Sequence, residues 1–201
     1  MKKLCELSDD ALLSLGEVEV SNARLGTLPE RLFRARRLTS LMITETSLPS
    51  IPAAVGHYSM LTTLVLRNNR LENLPPALTR LKKLKELDLA ENRLRTLPAY
   101  LGKLRSLEVL DVSTNQISSI PEEIRQLSRL SDLLASFNLL EELPAGLARM
   151  PKLARLELSG NRLRELPRVP KAFPKLEILV LEGNPLTAEF LTWLGDKPYY
   201  R

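Results

Sequence analysis

The sequence predicts an α/β solenoid. Short parallel strands line a concave face, and 3-10, extended or short helical segments return along a convex one. Three observations predict it. Apolar residues recur every 23 residues, in frames that start at Leu15, Leu38, Leu61, Leu84, Leu107, Leu130, Leu153 and Leu176, with no insertion between them. Position 9 of the frame is asparagine in six cases, Asn69, Asn92, Asn115, Asn138, Asn161 and Asn184. Positions 14 and 15 are Leu-Pro or Ile-Pro in seven, from Leu28-Pro29 to Leu166-Pro167.

Each element of the frame follows from its residues. Apolar positions 4 and 6, such as Leu87 and Leu89, lie two apart, so a short strand turns both inward and position 5 outward. One such strand cannot bury its face alone; stacking the frames in parallel makes a continuous leucine core. The asparagine turns the chain away from the sheet, where its amide can bond backbone groups left unpaired by the turn. Proline at position 15 has a fixed φ and cannot continue a strand ladder, which sets the return path. A stack with open ends would expose leucine, so caps are expected at residues 1–14 and 187–201, around eight repeats over 15–186, the last incomplete, in a single domain. At the N-terminus, Cys5 and Leu12 stand where positions 14 and 21 of a preceding half-repeat would be, and Ser8 is placed to cap a short helix. At the C-terminus, "TAEFLTWLG" reads as an amphipathic helix ending at Gly195, with Phe190, Trp193 and Leu194 against the last repeat. Two frames depart from the pattern. Ala23 and Thr46 replace asparagine in frames one and two, so the ladder is expected to start at frame three and leave the N-terminal end softer. Pro170 replaces the apolar residue at position 18 of frame seven, so that return path is expected to be non-helical.

The stretch "LKELDLAENRL" (84–94) matches L-x-x-L-x-L-x-x-N-x-L, and the chain resembles the leucine-rich repeat family over residues 15–186. Its Leu-Pro form is similar to the intracellular Ras-group repeats of Ras-suppressor and Scribble-like proteins. The resemblance implies a right-handed horseshoe that binds another protein on its concave face as a scaffold or adaptor. It also implies a setting in intracellular signalling, with a small GTPase, kinase or phosphatase as partner. Two other roles compete with this one: the recognition module of a bacterial effector or ubiquitin ligase, and a structural subunit of a large assembly.

Composition narrows the classes further. The 201 residues are 44% hydrophobic but 4% aromatic, so the core is aliphatic and large enough to fold. One cysteine cannot form a disulfide within the chain, which fits a reducing, cytoplasmic setting. No apolar run is long enough to span a bilayer. The single histidine, His57, stands on the return side, and one Cys with one His makes no common zinc set. The eight glycines are scattered and form no phosphate-binding loop. No cofactor and no catalytic activity are expected.

What remains is surface. Positions 3, 5, 7 and 8 of successive frames line the concave face. They carry Glu86, Asp88, Asp111, Asp132 and Glu157 among ten acids, against only Arg67 and Arg155. This face is therefore −8, leaving +13 for the rest of a chain whose total is +5. Met42, Val65, Val109 and Leu134 interrupt the acids, and apolar anchors within charge are how a protein interface is built. These eleven residues form the candidate protein-binding site. The complementary partner is a protein with a basic or mixed basic and apolar patch, bound by a monomer. An acidic, aromatic-poor gripping surface argues against nucleic acid as a partner, and the positive charge outside it reads as a solvated face. The positive excess falls on the return path, in "RLFRARR" and "TRLKKLK", and on arginines at position 10. Phe137 and Leu139 are further exposed candidates, with the Phe137 ring expected to tuck partly beside the small Ala135. Eight strands about 4.8 Å apart make an arc of roughly 34 Å, enough for a partner face of about 800 Å².

Overall fold

The computed structural model describes residues 13–167 and 172–195. Eight strands form one parallel sheet in sequence order. They are β1 (Glu17–Ser21), β2 (Ser40–Thr44), β3 (Thr63–Val65), β4 (Glu86–Asp88), β5 (Val109–Asp111), β6 (Asp132–Leu134), β7 (Arg155–Glu157) and β8 (Ile178–Val180). Pairing keeps the frame in register throughout: Leu41, Leu64, Leu87, Leu110, Leu133, Leu156 and Leu179 stand side by side. All seven are buried, and the inward columns merge into one core. The fold is the expected α/β solenoid.

The return segments are 3-10 turns, at Glu30–Arg34, Ala53–His57, Pro76–Arg80, Ala99–Lys103, Glu122–Gln126 and Leu147–Arg149. Proline sets up the first five: Pro29, Pro52, Pro75, Pro98 and Pro121 each precede a turn, with φ between −60° and −78°. The C-terminal helix, Ala188–Gly195, buries Phe190 and Leu194, and the Phe190 ring stacks on Trp193 with centroids 5.4 Å apart. The expectations for Cys5, Ser8, Leu12 and Pro170 lie outside the described residues.

The asparagines bridge repeats. In each of the six, Oδ1 accepts the N–H at position 11 of the preceding frame, as Asn92 does from Leu71 at 3.0 Å. The side-chain Nδ2 donates to the position-6 carbonyl of the preceding frame and to that of its own. The asparagine ladder starts at Asn69 in frame three, as the sequence predicts, and Thr46 in frame two closes its end. Thr46 is fully buried, and both its hydroxyl, at 2.7 Å, and its N–H, at 3.2 Å, donate to Asn69 Oδ1. A threonine hydroxyl is a donor, so it adds a third hydrogen bond to the ladder's first asparagine acceptor, while the Thr46 carbonyl takes the Leu25 N–H, a role that an asparagine side chain fills in the other frames.

Position 8 is left-handed in every frame. Asn22, Glu45, Asn68, Glu91, Thr114, Phe137, Gly160 and Gly183 have φ between 52° and 73°. Asparagine and glycine suit that conformation; a β-branched or bulky residue there is strained.

Candidate protein-binding site on the concave face

The register places the candidate residues in two rows. Position 5 gives Glu19, Met42, Val65, Asp88, Asp111, Leu134, Glu157 and Val180 as successive neighbours. Position 3 gives Glu86 beside Val109, then Asp132, Arg155 and Ile178. Ten of the eleven candidates stand in these rows; Arg67 lies two residues beyond the end of β3.

Arg67 organises the acidic part. Its Nε and Nη2 donate to Glu91 Oε1 at 3.0 and 2.6 Å, and Nη1 stands 4.0 Å from a carboxylate oxygen of both Asp88 and Asp111. The hydrogen bond to Glu91 raises the guanidinium pKa. The two aspartates also serve the backbone: Asp88 Oδ1 accepts the Ala90 N–H and Asp111 Oδ1 the Ser113 N–H, each at 2.9 Å. Each carboxylate satisfies an amide where its strand ends, so a lysine at either position would lose that bond. Burial pushes the Asp88 carboxyl above its ordinary value; the Ala90 N–H and Arg67 oppose the shift, while Asp111 and Glu86 add to it. Farther along, Arg155 Nε donates to Glu157 at 2.9 Å, and the Ser131 hydroxyl donates to Asp132.

The apolar members differ in accessibility. Met42 is 36% exposed, Leu134 and Val109 are half-buried, and Val65, at 9%, offers little surface of its own. Two larger contributions lie outside the eleven, and one of them, Phe137, is among the further candidates named from the sequence. Ile178 is 46% exposed in the position-3 row; following that row to its last frame would have found it. Phe137 is 63% exposed. Its ring does not tuck inward beside Ala135, a core residue, but lies over Gly160, where an added Cβ would stand 2.6 Å from Phe137 Cδ1. Gly160 thus serves both its left-handed turn and the seat of the ring.

Among the described residues no group of three or more His, Cys, Asp or Glu side chains could hold a metal ion. No described helix is long and apolar enough to cross a membrane.

Leucine-rich repeat is the family description whose model matches, over residues 59–117. Solved structures share the fold. A leucine-rich repeat protein of Leptospira interrogans superposes with a TM-score of 0.63 at 24% identity, over 92% of this chain and 59% of its own. The leucine-rich repeat ectodomain of the Arabidopsis thaliana receptor kinase GASSHO1/SCHENGEN3, in complex with CASPARIAN STRIP INTEGRITY FACTOR 2, gives 0.76 at 30% identity, over 90% and 23%. TLR13, in complex with ssRNA13, gives 0.79 at 30%, over 90% and 26%. The chain therefore spans less than two thirds of each of these structures. No curated protein matches the sequence. The molecule is a leucine-rich repeat solenoid, and the family match and these neighbours support a leucine-rich repeat family for the chain. Such folds are generally binding modules rather than enzymes.

Proposed function

We propose that this chain is a protein-interaction scaffold of intracellular signalling, gripping its partner on the concave face through Arg67, Asp88, Asp111, Leu134 and their row neighbours. Residues 1–14 and 187–201 close the ends of the eight repeats in this reading, and the scaffold works as a cytoplasmic monomer. The carrying observation is the alternation in one row: half-buried carboxylates at Asp88 and Asp111 adjoin the apolar Leu134, with exposed Phe137 and Ile178 beyond. A partner with a cation opposite the aspartates and an apolar side chain opposite Leu134 fits both halves. The carboxylates would act mainly on association rate and specificity, and the apolar anchors on residence time. The Ras-group resemblance favours a small GTPase, kinase or phosphatase as that partner.

Affinity capture from lysate, read by mass spectrometry, tests this. Asp88→Asn with Asp111→Asn keeps the acceptor oxygens for Ala90 and Ser113 while removing both charges, and Leu134→Glu removes the anchor. Each should lose the partner that the unaltered chain retains, with the melt preserved. Lys82→Glu with Lys83→Glu, on the return side, should keep it. The reverse pattern would place the protein-binding face elsewhere.

A further inference from the structure

The flank on which each return segment re-enters the sheet is formed by positions 19 to 23 of the frame, and among the described residues these positions hold no acid. Position 23 supplies Arg37, Lys83, Arg129, Lys152 and Lys175, and Arg105 at position 22 fills the gap left by Ser106. All six cations are exposed, and none forms an ion pair with a described residue. Cross-repeat contacts tie the same turn in successive frames together: Lys83 Nζ reaches the Met60 sulfur at 3.1 Å, and the Ser106 hydroxyl donates to the Lys82 carbonyl at 2.7 Å. The acids at position 2, on the strand side, are Glu108, engaged by Lys85 at 3.3 Å, and Glu177, exposed two residues past Lys175. The fold thus aligns cations in a ridge and supplies no counter-charge within it. At about 4.8 Å per repeat, the ridge runs for roughly 29 Å, the length of about eight base pairs.

We propose that this flank binds the phosphate backbone of a nucleic acid duplex without regard to sequence. Lone cations spaced along a line match a line of phosphates, and arginine adds bidentate phosphate geometry. Other anionic partners fit less well. A protein interface needs an apolar core and a membrane surface rewards apolar insertion, yet Met60, 41% exposed, is the one large exposed hydrophobic residue on the ridge. A single strand needs aromatic platforms, and the ridge offers none: Phe33 is half-buried against Tyr58, and Tyr58 is fully buried. The expectation against nucleic acid rested on the concave face, whose −8 charge repels phosphate; this flank lies outside that face and, unlike the edge that carries Arg70 and Arg93 beside Glu72, contains no acid among the described residues. The proposal is independent of the protein partner.

The test is fluorescence anisotropy of the full chain with a labelled random-sequence duplex of roughly 20 base pairs, across a salt series. Contact with about five phosphates gives a log–log salt slope near about −4.5. Lys83→Glu, Arg105→Glu and Arg129→Glu together should weaken binding by roughly tenfold or more and flatten the slope. Arg70→Glu, Arg93→Glu and Arg95→Glu change net charge equally near the other edge of the sheet and should leave affinity nearly unchanged; melts of both triples check folding. The proposal is overturned by absent duplex binding at low salt, by equal losses in the two triples, or by tighter binding to phosphatidylserine vesicles than to the duplex.

Discussion

Replacing Asn92 with alanine removes one acceptor and two donors from a side chain only 8% exposed. The Nδ2 group donates to three carbonyls, Leu66 at 2.9 Å, Leu89 at 3.0 Å and Ala90 at 3.1 Å. Each keeps a second donor in the variant: Asn69 Nδ2 for Leu66, Asn115 Nδ2 for Leu89, and the Asn68 N–H for Ala90. The Leu71 N–H has no such reserve, since Asn92 Oδ1 at 3.0 Å is its acceptor and Leu71 is fully buried. The cost is therefore dominated by one orphaned amide, about 2–3 kcal/mol once the weakened carbonyl bonds are included. Thr46→Ala removes a hydroxyl from the same network, yet Asn69 Oδ1 still accepts from the Thr46 and Leu48 N–H groups, so no group is orphaned and about 1 kcal/mol is lost. Urea melts with unchanged m-values measure both. If Asn92→Ala costs no more than Thr46→Ala, the Leu71 amide is satisfied by water and the ladder does not carry the stability assigned to it.

Four further outcomes follow from neighbouring features. Leu133→Asp, at a fully buried position, should unfold the local repeats in a denaturant melt, whereas Leu134→Asp, one residue on and facing outward, should shift the midpoint little; loss of the fold in both would invert the assignment of the faces. Tyr58→Phe should raise stability by about 1–2 kcal/mol, because the buried hydroxyl has no hydrogen-bond partner and burial pushes the phenol pKa up; a fall would mean that the hydroxyl is bonded. Thr114→Gly should gain about 1 kcal/mol, the relief of a β-branched residue at φ 55° less the entropy of glycine, and a thermal shift to lower temperature would contradict it. Asp88→Asn should stabilise the chain at neutral pH. The folded carboxyl has a raised pKa, so the native state holds its proton longer than the unfolded chain and stability falls as pH rises through the window just above the ordinary carboxylate value. Melts at neutral and acid pH should converge in the variant; an unchanged difference would show that Asp88 does not carry it.

The repeat made the fold legible because each column of the frame reports one physical demand eight times over. The leucines at position 4 give the core, and proline at 15 gives the turn that follows it. The absence of asparagine at Thr46 marks the start of the ladder correctly, but the bond from its hydroxyl to Asn69 has no counterpart in the other frames and so no signal in the repeat. The left-handed position 8 was open to inspection, with Asn22, Asn68, Gly160 and Gly183 in its column, but Glu45, Glu91, Thr114 and Phe137 blur that signal. The candidate site was less legible. Rows follow from the register, but exposure depends on neighbours: Val65 is closed off while Met42, beside it, is open. No pattern in the sequence discloses that Arg67 reaches two frames along, or that Asp88 and Asp111 each hold a backbone amide.

The concave region holds several of the places where this chain departs from its own rules. Frames that could carry Asn or Gly at the left-handed position carry Thr114 and Phe137 instead, side by side in frames five and six. The row between them and the core holds Asp88 desolvated against its preference, next to Asp111, under a guanidinium that is itself 48% exposed. Thr114 and Phe137 do not help the solenoid to fold, since the buried columns and the asparagine ladder are complete without them; Asp88 and Asp111 each hold a backbone amide, yet burial opposes the charge that Asp88 brings. Local conflict with the fold, confined to one surface, is where function is expected to have overridden stability. These departures run from Arg67 to Phe137 in frames three to six and enclose Asp88, Asp111 and Leu134, while Glu45, at the left-handed position of frame two, lies outside them. That clustering supports centring the proposed protein contact there rather than at either end of the arc.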